Sequence, residues 1–134
     1  MSMHIFTYGT LMFEKIWLKV AGTKCKSSPA QISGFERTAV KNEVYPVLIP
    51  GEKDVNVDGI IYFEVSDYII QKLDCFEGQA YNREEVAVTL KDGRKIPAQT
   101  YVLKNAFFSI IDNKTWDKQH FAEMYMSAFL AEDV

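Results

Sequence analysis

The chain has 134 residues, 48% of them hydrophobic and 25% charged, and carries a net charge of −3. That length supports one hydrophobic core, so residues 1–134 are expected to form a single domain. The charge balance leaves no basic face for nucleic acid, and no apolar run approaches the roughly 20 residues that cross a bilayer.

The N-terminus runs directly into a strand pattern, without the charged start and apolar run of a signal peptide. A soluble cytoplasmic protein is therefore expected. Cys25 and Cys75 are fifty positions apart and form no disulfide framework. Cys25 falls in a polar loop, while Cys75 follows an apolar helix face and is expected to be buried.

Residues 3–8 are rich in aromatic and β-branched types and read as a short strand, broken by Gly9. Met12, Phe13, Ile16, Trp17 and Val20 then recur at helical spacing. Trp17 suits either a core or an interface. After a polar loop over 22–28, Pro29 to Val40 reads as one strand, with Gly34 as a bulge. Val44 to Ile49 is a further short strand whose Pro46 and Pro50 place it at an edge or bend.

Val57 to Val65 is the strongest strand, with Val57, Gly59, Ile61, Phe63 and Val65 on one face. Ser66 is a suitable N-cap for the helix that follows, in which Ile69, Ile70, Leu73 and Phe76 repeat at helical spacing and Gly78 supplies the stop. Arg83 to Leu90 and Ile96 to Leu103 alternate as two strands around Lys91-Asp92-Gly93-Arg94, where Asp-Gly suits a type I′ turn. Residues 104–116 carry no clear pattern. Thr115 is a possible cap for a last helix in which Phe121, Met124, Tyr125, Ala128 and Phe129 form an apolar stripe.

Six or seven strands with two or three helices, in an order that does not alternate regularly, predict an α+β fold. Its sheet is expected to be a mixed, mostly antiparallel small β-barrel with flanking helices.

Two stretches carry chemistry. In Tyr8-Gly9-Thr10-Leu11, successive backbone amides after the glycine are a candidate cradle for a carboxylate or phosphate; the alternative is an ordinary strand-to-helix turn. The stretch has neither the lysine nor the glycine spacing of a P-loop. In Leu73 to Arg83, Glu77 ends a helix one residue before Gly78, with Tyr81 and Arg83 following on one strand face. Glu77 is a candidate general acid/base, because the negative end of the helix dipole raises a carboxylate's pKa. Its other reading is a solvated helix-end residue, and Arg83 by default is a surface ion-pair partner. His4 and His120 have no neighbours at metal-ligand spacing, so no metal is expected.

Four segments together resemble the gamma-glutamylcyclotransferase-like family, which includes the avirulence-induced plant members. They are F-T-Y-G-T-L at 6–11, Y-P-V-L-I-P-G at 45–51, G-I-I-Y-F-E-V at 59–65 continuing into D-x-x-E-G-x-x-Y-x-R at 74–83, and Trp116 with Phe121. The resemblance implies a compact mixed fold around a small barrel with a pocket at one end. It implies that Glu77 is the catalytic acid/base and that Tyr8, Gly9, Thr10 and Leu11 bind the α-carboxylate end of a small γ-glutamyl substrate. Tyr81 and Arg83 correspond to motif positions near the site.

The implied reaction closes the substrate's α-amine onto its γ-carbonyl, releasing 5-oxoproline and a free amine without a cofactor. The competing expectation is a ligand-binding or regulatory module on the same fold; a third is a hydrolase releasing glutamate. The sequence leaves the individual γ-glutamyl compound and the oligomeric state open.

Overall fold

The computed structural model describes residues 2–132. Seven strands are present: β1 Ser2–Thr7, β2 Ser27–Ser33, β3 Phe35–Ala39, β4 Pro46–Pro50, β5 Asn56–Ser66, β6 Tyr81–Leu90 and β7 Lys95–Leu103. The α-helices are α1 Glu14–Ala21, α2 Asp67–Glu77, α3 Lys118–Met124 and α4 Met126–Ala131, with 3₁₀ turns at Thr10–Met12 and Asn105–Ile110. Five strands close a barrel in the order β1-β5-β2-β6-β7, and β3 with β4 makes a separate two-stranded sheet. The barrel is antiparallel except at its seam, where β1 meets β7 in parallel through Ile5 and Gln99. The expected small mixed barrel is thus the fold observed.

The barrel interior is filled by Phe6, Tyr8, Ile32, Val57, Ile61, Val88 and Val102 with their neighbours. A second core lies between the barrel and the helices, built on Ile5, Ile16, Trp17, Tyr62, Val65, Leu73 and Phe121. Trp17 belongs to this core: it is fully buried and stacks on Tyr62 with ring centroids 3.7 Å apart. The β1–β5 pair closes tightly at Gly59, where a Cβ would lie 2.1 Å from the Thr7 carbonyl oxygen. No larger residue fits there without displacing β1 and the loop that follows it.

Several local expectations are corrected. Pro29 to Val40 is two strands in different sheets, because Gly34, at φ +84°, turns the chain out of the barrel. Val65 does not share a face with Val57 and Ile61. His4 opposes two residues of β5, Phe63 and Glu64, and Glu64 takes a positive φ of 50°. This bulge turns Val65 toward the helices.

The β6–β7 turn has positive φ only at Gly93, not at Asp92, with Gly93 N–H bonded to the Leu90 carbonyl and Leu90 N–H to the Arg94 carbonyl. It is a three-residue loop with a glycine bulge rather than a type I′ turn. Asp117, not Thr115, caps α3, its carboxylate accepting the His120 amide at 3.0 Å. The last helical stripe is split at Tyr125, and Met124 is 63% exposed. Cys75 is exposed, because α2 turns Ile69, Ile70 and Leu73 to the core and leaves Cys75 on another face. Ser66 and Gly78 bound α2 as the sequence indicated. No helix among the described residues is long and apolar enough to cross a membrane.

Candidate active site

A cavity of about 950 Å³ opens where the ends of β1, α1 and α2 and the starts of β4 and β6 converge. The loop Tyr8, Gly9, Thr10, Leu11 lines it together with Glu77 and Tyr81. Tyr45 and Tyr101 complete the inner wall.

The loop is held by its carbonyl groups. The Tyr8 carbonyl accepts from the Arg37 guanidinium at 3.0 Å, and the Gly9 carbonyl accepts from Met12 N–H at 3.0 Å. Phe13 N–H donates to the Thr10 carbonyl at 3.2 Å, and the Tyr62 hydroxyl donates to the Leu11 carbonyl at 2.9 Å. In a trans peptide the C=O and N–H point in opposite directions. With every carbonyl engaged, the amides of Gly9, Thr10 and Leu11 are turned the other way, and among the described residues they meet no acceptor. Thr10 and Leu11 are buried, so these are unsatisfied donors beside a cavity, which a bound anion would satisfy.

Gly9 itself has φ −132°, a value open to any residue. It is needed because a Cβ there would sit 2.9 Å from the Pro46 ring. The Tyr-Pro pair at 45–46 therefore abuts the loop directly.

Glu77 is the last residue of α2. No hydrogen bond engages its carboxylate among the described residues; the residue is half-buried and lines the cavity. Burial pushes its pKa up to about 8. Four tyrosines surround it. Tyr8, Tyr45, Tyr81 and Tyr101 are all raised, first by burial; the negative charge of Glu77 adds to each. All four therefore remain neutral hydroxyls. The Tyr8 hydroxyl is committed to the Tyr101 carbonyl at 2.6 Å, and the Tyr101 hydroxyl to Asp74 at 2.6 Å. The hydroxyls of Tyr45 and Tyr81 hold no bond within the described residues and are free to donate to a ligand.

Arg83 is not part of this wall. Its guanidinium grips Asp74, one turn before Glu77, at 2.5 and 2.6 Å and also donates to Gln99 at 3.0 Å. It ties the end of α2 to β6 and β7. Tyr81 and Arg83 thus separate: Tyr81 faces the cavity and Arg83 braces the helix that presents Glu77.

Residues 5–118 match the family described as gamma-glutamyl cyclotransferase, AIG2-like. The chain belongs to this family. The AIG2-like protein D of Arabidopsis thaliana is 32% identical over 132 residues, spanning 96% of this chain and 86% of that protein. A solution structure of another Arabidopsis thaliana protein superimposes with a TM-score of 0.75 at 23% identity, over 97% of this chain and 78% of that one. A structure titled gamma-glutamyl cyclotransferase gives 0.68 at 16% identity, over 78% and 68%. At these identities the two structures establish the shared fold alone.

Within this cyclotransferase-family fold, three residues of the site escaped the sequence reading. Tyr101 and Asp74 carried no motif signal as a pair, since β7 brings them together across 27 positions. Tyr45 lay inside the Tyr-Pro segment but had no assigned role, although its place next to Pro46 was the available clue.

Proposed function

We propose that the protein is a cyclotransferase that converts a γ-glutamyl amine or γ-glutamyl amino acid to 5-oxoproline and a free amine. The observation that carries this reading is a carboxylate with a pKa of about 8 that lines the same cavity as three backbone amides, none of them bonded among the described residues.

A γ-glutamyl compound supplies both partners for that pair. Its α-carboxylate takes the amides of Gly9, Thr10 and Leu11, which places the α-ammonium and the γ-carbonyl toward Glu77. Glu77 as carboxylate removes a proton from the α-ammonium, and the freed amine attacks the γ-carbonyl. One C–N bond forms and the carbonyl electron pair moves to oxygen. The hydroxyls of Tyr45 and Tyr81 are the unengaged donors for that oxyanion. As the carbonyl re-forms, the bond to the departing nitrogen breaks and Glu77 returns its proton to that nitrogen; the Glu77 carboxylate then takes the second proton of the attacking nitrogen, leaving the lactam N–H, and passes it to the released amine. The nucleophile is tethered to its target, so little orientational entropy is lost in reaching the transition state. A carboxylate with a pKa close to working pH serves both proton transfers.

A pocket that only bound an anionic ligand would gain nothing from Glu77. The test is an assay for 5-oxoproline over a panel of γ-glutamyl amino acids and γ-glutamyl amines, with Glu77→Gln alongside. Formation by the wild type and loss of at least about a hundredfold in the variant support the reading. Ligand-induced thermal stabilisation with no 5-oxoproline, or with glutamate instead, overturns it.

A further inference from the structure

The cavity extends beyond the acid/base end. It continues as a trough between α1 and α2, lined by Tyr68, Lys72, Cys75 and Phe76. These residues stand at i, i+4, i+7 and i+8, so one face of α2 forms the floor of the trough.

Lys72 is half-buried in that wall and its position is defined from three sides. Its ammonium lies 4.5 Å from the centre of the Tyr68 ring. It donates to the Ala21 carbonyl at a long 3.4 Å. It also packs over Gly22, where a Cβ would stand only 3.1 Å away. Gly22, at φ +81°, leaves room for it. Lys72 has no carboxylate within ion-pair distance among the described residues, whereas Lys24, Arg83 and Arg94 each have one. Lys19, the other cation on the trough, is occupied by the carbonyls of Leu130 and Glu132. The one acidic side chain besides Glu77 among the lining residues is Glu132, whose carbonyl holds Lys19. A fixed cation with a single weak acceptor, inside a cavity, is a site for an anion.

Its place in the cavity that Glu77 also lines says which anion. If the γ-glutamyl group lies between Glu77 and the Gly9 loop, the departing group extends into the rest of the cavity, where Lys72 stands. A carboxylate on that departing group would meet the Lys72 ammonium, and an uncharged amine would bring it no partner.

We propose that the α1–α2 trough is a subsite for a carboxylate on the departing amine, read by Lys72, and that the protein favours γ-glutamyl compounds whose departing amine carries a carboxylate over those whose departing amine is uncharged. This rests on the proposed reaction.

The test separates the two. Calorimetry on the Glu77→Gln protein compares γ-glutamyl-alanyl-glycine with its C-terminal carboxamide, while the wild type is assayed for 5-oxoproline with both. The carboxylate compound is expected to bind at least tenfold more tightly; Lys72→Gln should equalise the two, and Lys72→Arg should keep the preference. The first comparison is made within one protein, so it does not depend on the folding of a Lys72 variant. Equal binding overturns the subsite, as does a preference that survives Lys72→Gln. A carboxylate preference without any 5-oxoproline leaves the subsite standing and overturns the cyclotransferase reading; 5-oxoproline with equal binding does the reverse. No binding of either compound, with no product, overturns both.

Discussion

Asp74 and Glu77 are three residues apart in the last turn of α2, and their surroundings differ sharply. Asp74 accepts two bonds from Arg83 and one from Tyr101. Glu77 accepts none within the described residues and is pushed to a pKa of about 8 by burial. Charge-assisted bonds, here from one guanidinium nitrogen to both carboxylate oxygens, fix geometry and spend the acceptor. A buried carboxylate without donors keeps its acceptor capacity and holds a proton more readily. One helix end thus carries a braced carboxylate and an unengaged one side by side, and the brace holds the helix turn that ends in Glu77.

The strongest way to break the contrast is Glu77→Gln. The amide keeps the shape of the side chain and removes the proton transfer. Turnover to 5-oxoproline should fall by at least about a hundredfold while the circular dichroism spectrum is unchanged. Retained turnover would assign the proton transfers elsewhere.

The titration of Glu77 gives a second test, read on stability and rate together. Its folded-state pKa of about 8 lies above the ordinary 4.5. The native state therefore keeps a proton that the unfolded chain releases over that range. The contribution of this group to stability is full below pH 4.5 and is lost as pH rises through about 8. The melting temperature of the wild type should drop between pH 5 and pH 8, and Glu77→Gln should lack that part of the slope. In the same window kcat/KM should rise as the base forms, and it should level off only above pH 8. A melting curve with the same pH dependence in both proteins would contradict the buried titration.

A smaller effect is expected from the loop opposite. Tyr62→Phe leaves the Leu11 carbonyl without its donor, and Arg37→Gln shortens the reach to the Tyr8 carbonyl. Each should raise KM by roughly tenfold or less, in line with the ~1 kcal/mol of a typical hydrogen bond. The pH profile set by Glu77 should not move. A shifted profile would mean that these residues act on Glu77 rather than on the amides.

What the sequence disclosed follows the reach of each interaction. Glu77 and the Tyr8–Leu11 stretch were legible because a helix stop and a strand break are local signals, carried by Gly78 and Gly9. The barrel was legible from the spacing of β5, β6 and β7 and from the family resemblance. The flip at Val65 was not, because its bulge sits on Glu64 with a positive φ and no glycine marks it. The break at Tyr125 likewise occurs without proline or glycine, inside an unbroken helical stripe. Tyr45 and Tyr101 reach Glu77 only after the strands have paired, and no spacing encodes that. The role of Arg83 depended on Asp74: the two open and close one motif in the sequence, but their contact was not legible there, because one belongs to a helix and the other to a strand.

That pairing gives the mildest prediction and the sharpest test of bracing against catalysis. The Arg83 and Asp74 side chains are 29% and 45% exposed, so water screens their ion pair. Arg83→Gln should cost only about 1 kcal/mol in unfolding free energy. Asp74 would still accept from Tyr101, and α2 would still end at Gly78, but the last helical turn would lose its link to β6. Turnover should fall a few-fold through kcat, since Glu77 would sample more orientations, and Arg83→Lys should recover part of it by restoring the charge without the second nitrogen that holds Gln99. Asp74→Asn should reproduce the Arg83→Gln effect, and the double variant should be no worse than either single one, because both remove the same contact. A loss approaching that of Glu77→Gln, or losses that multiply in the double variant, would mean that Arg83 touches the substrate and does more than brace the helix.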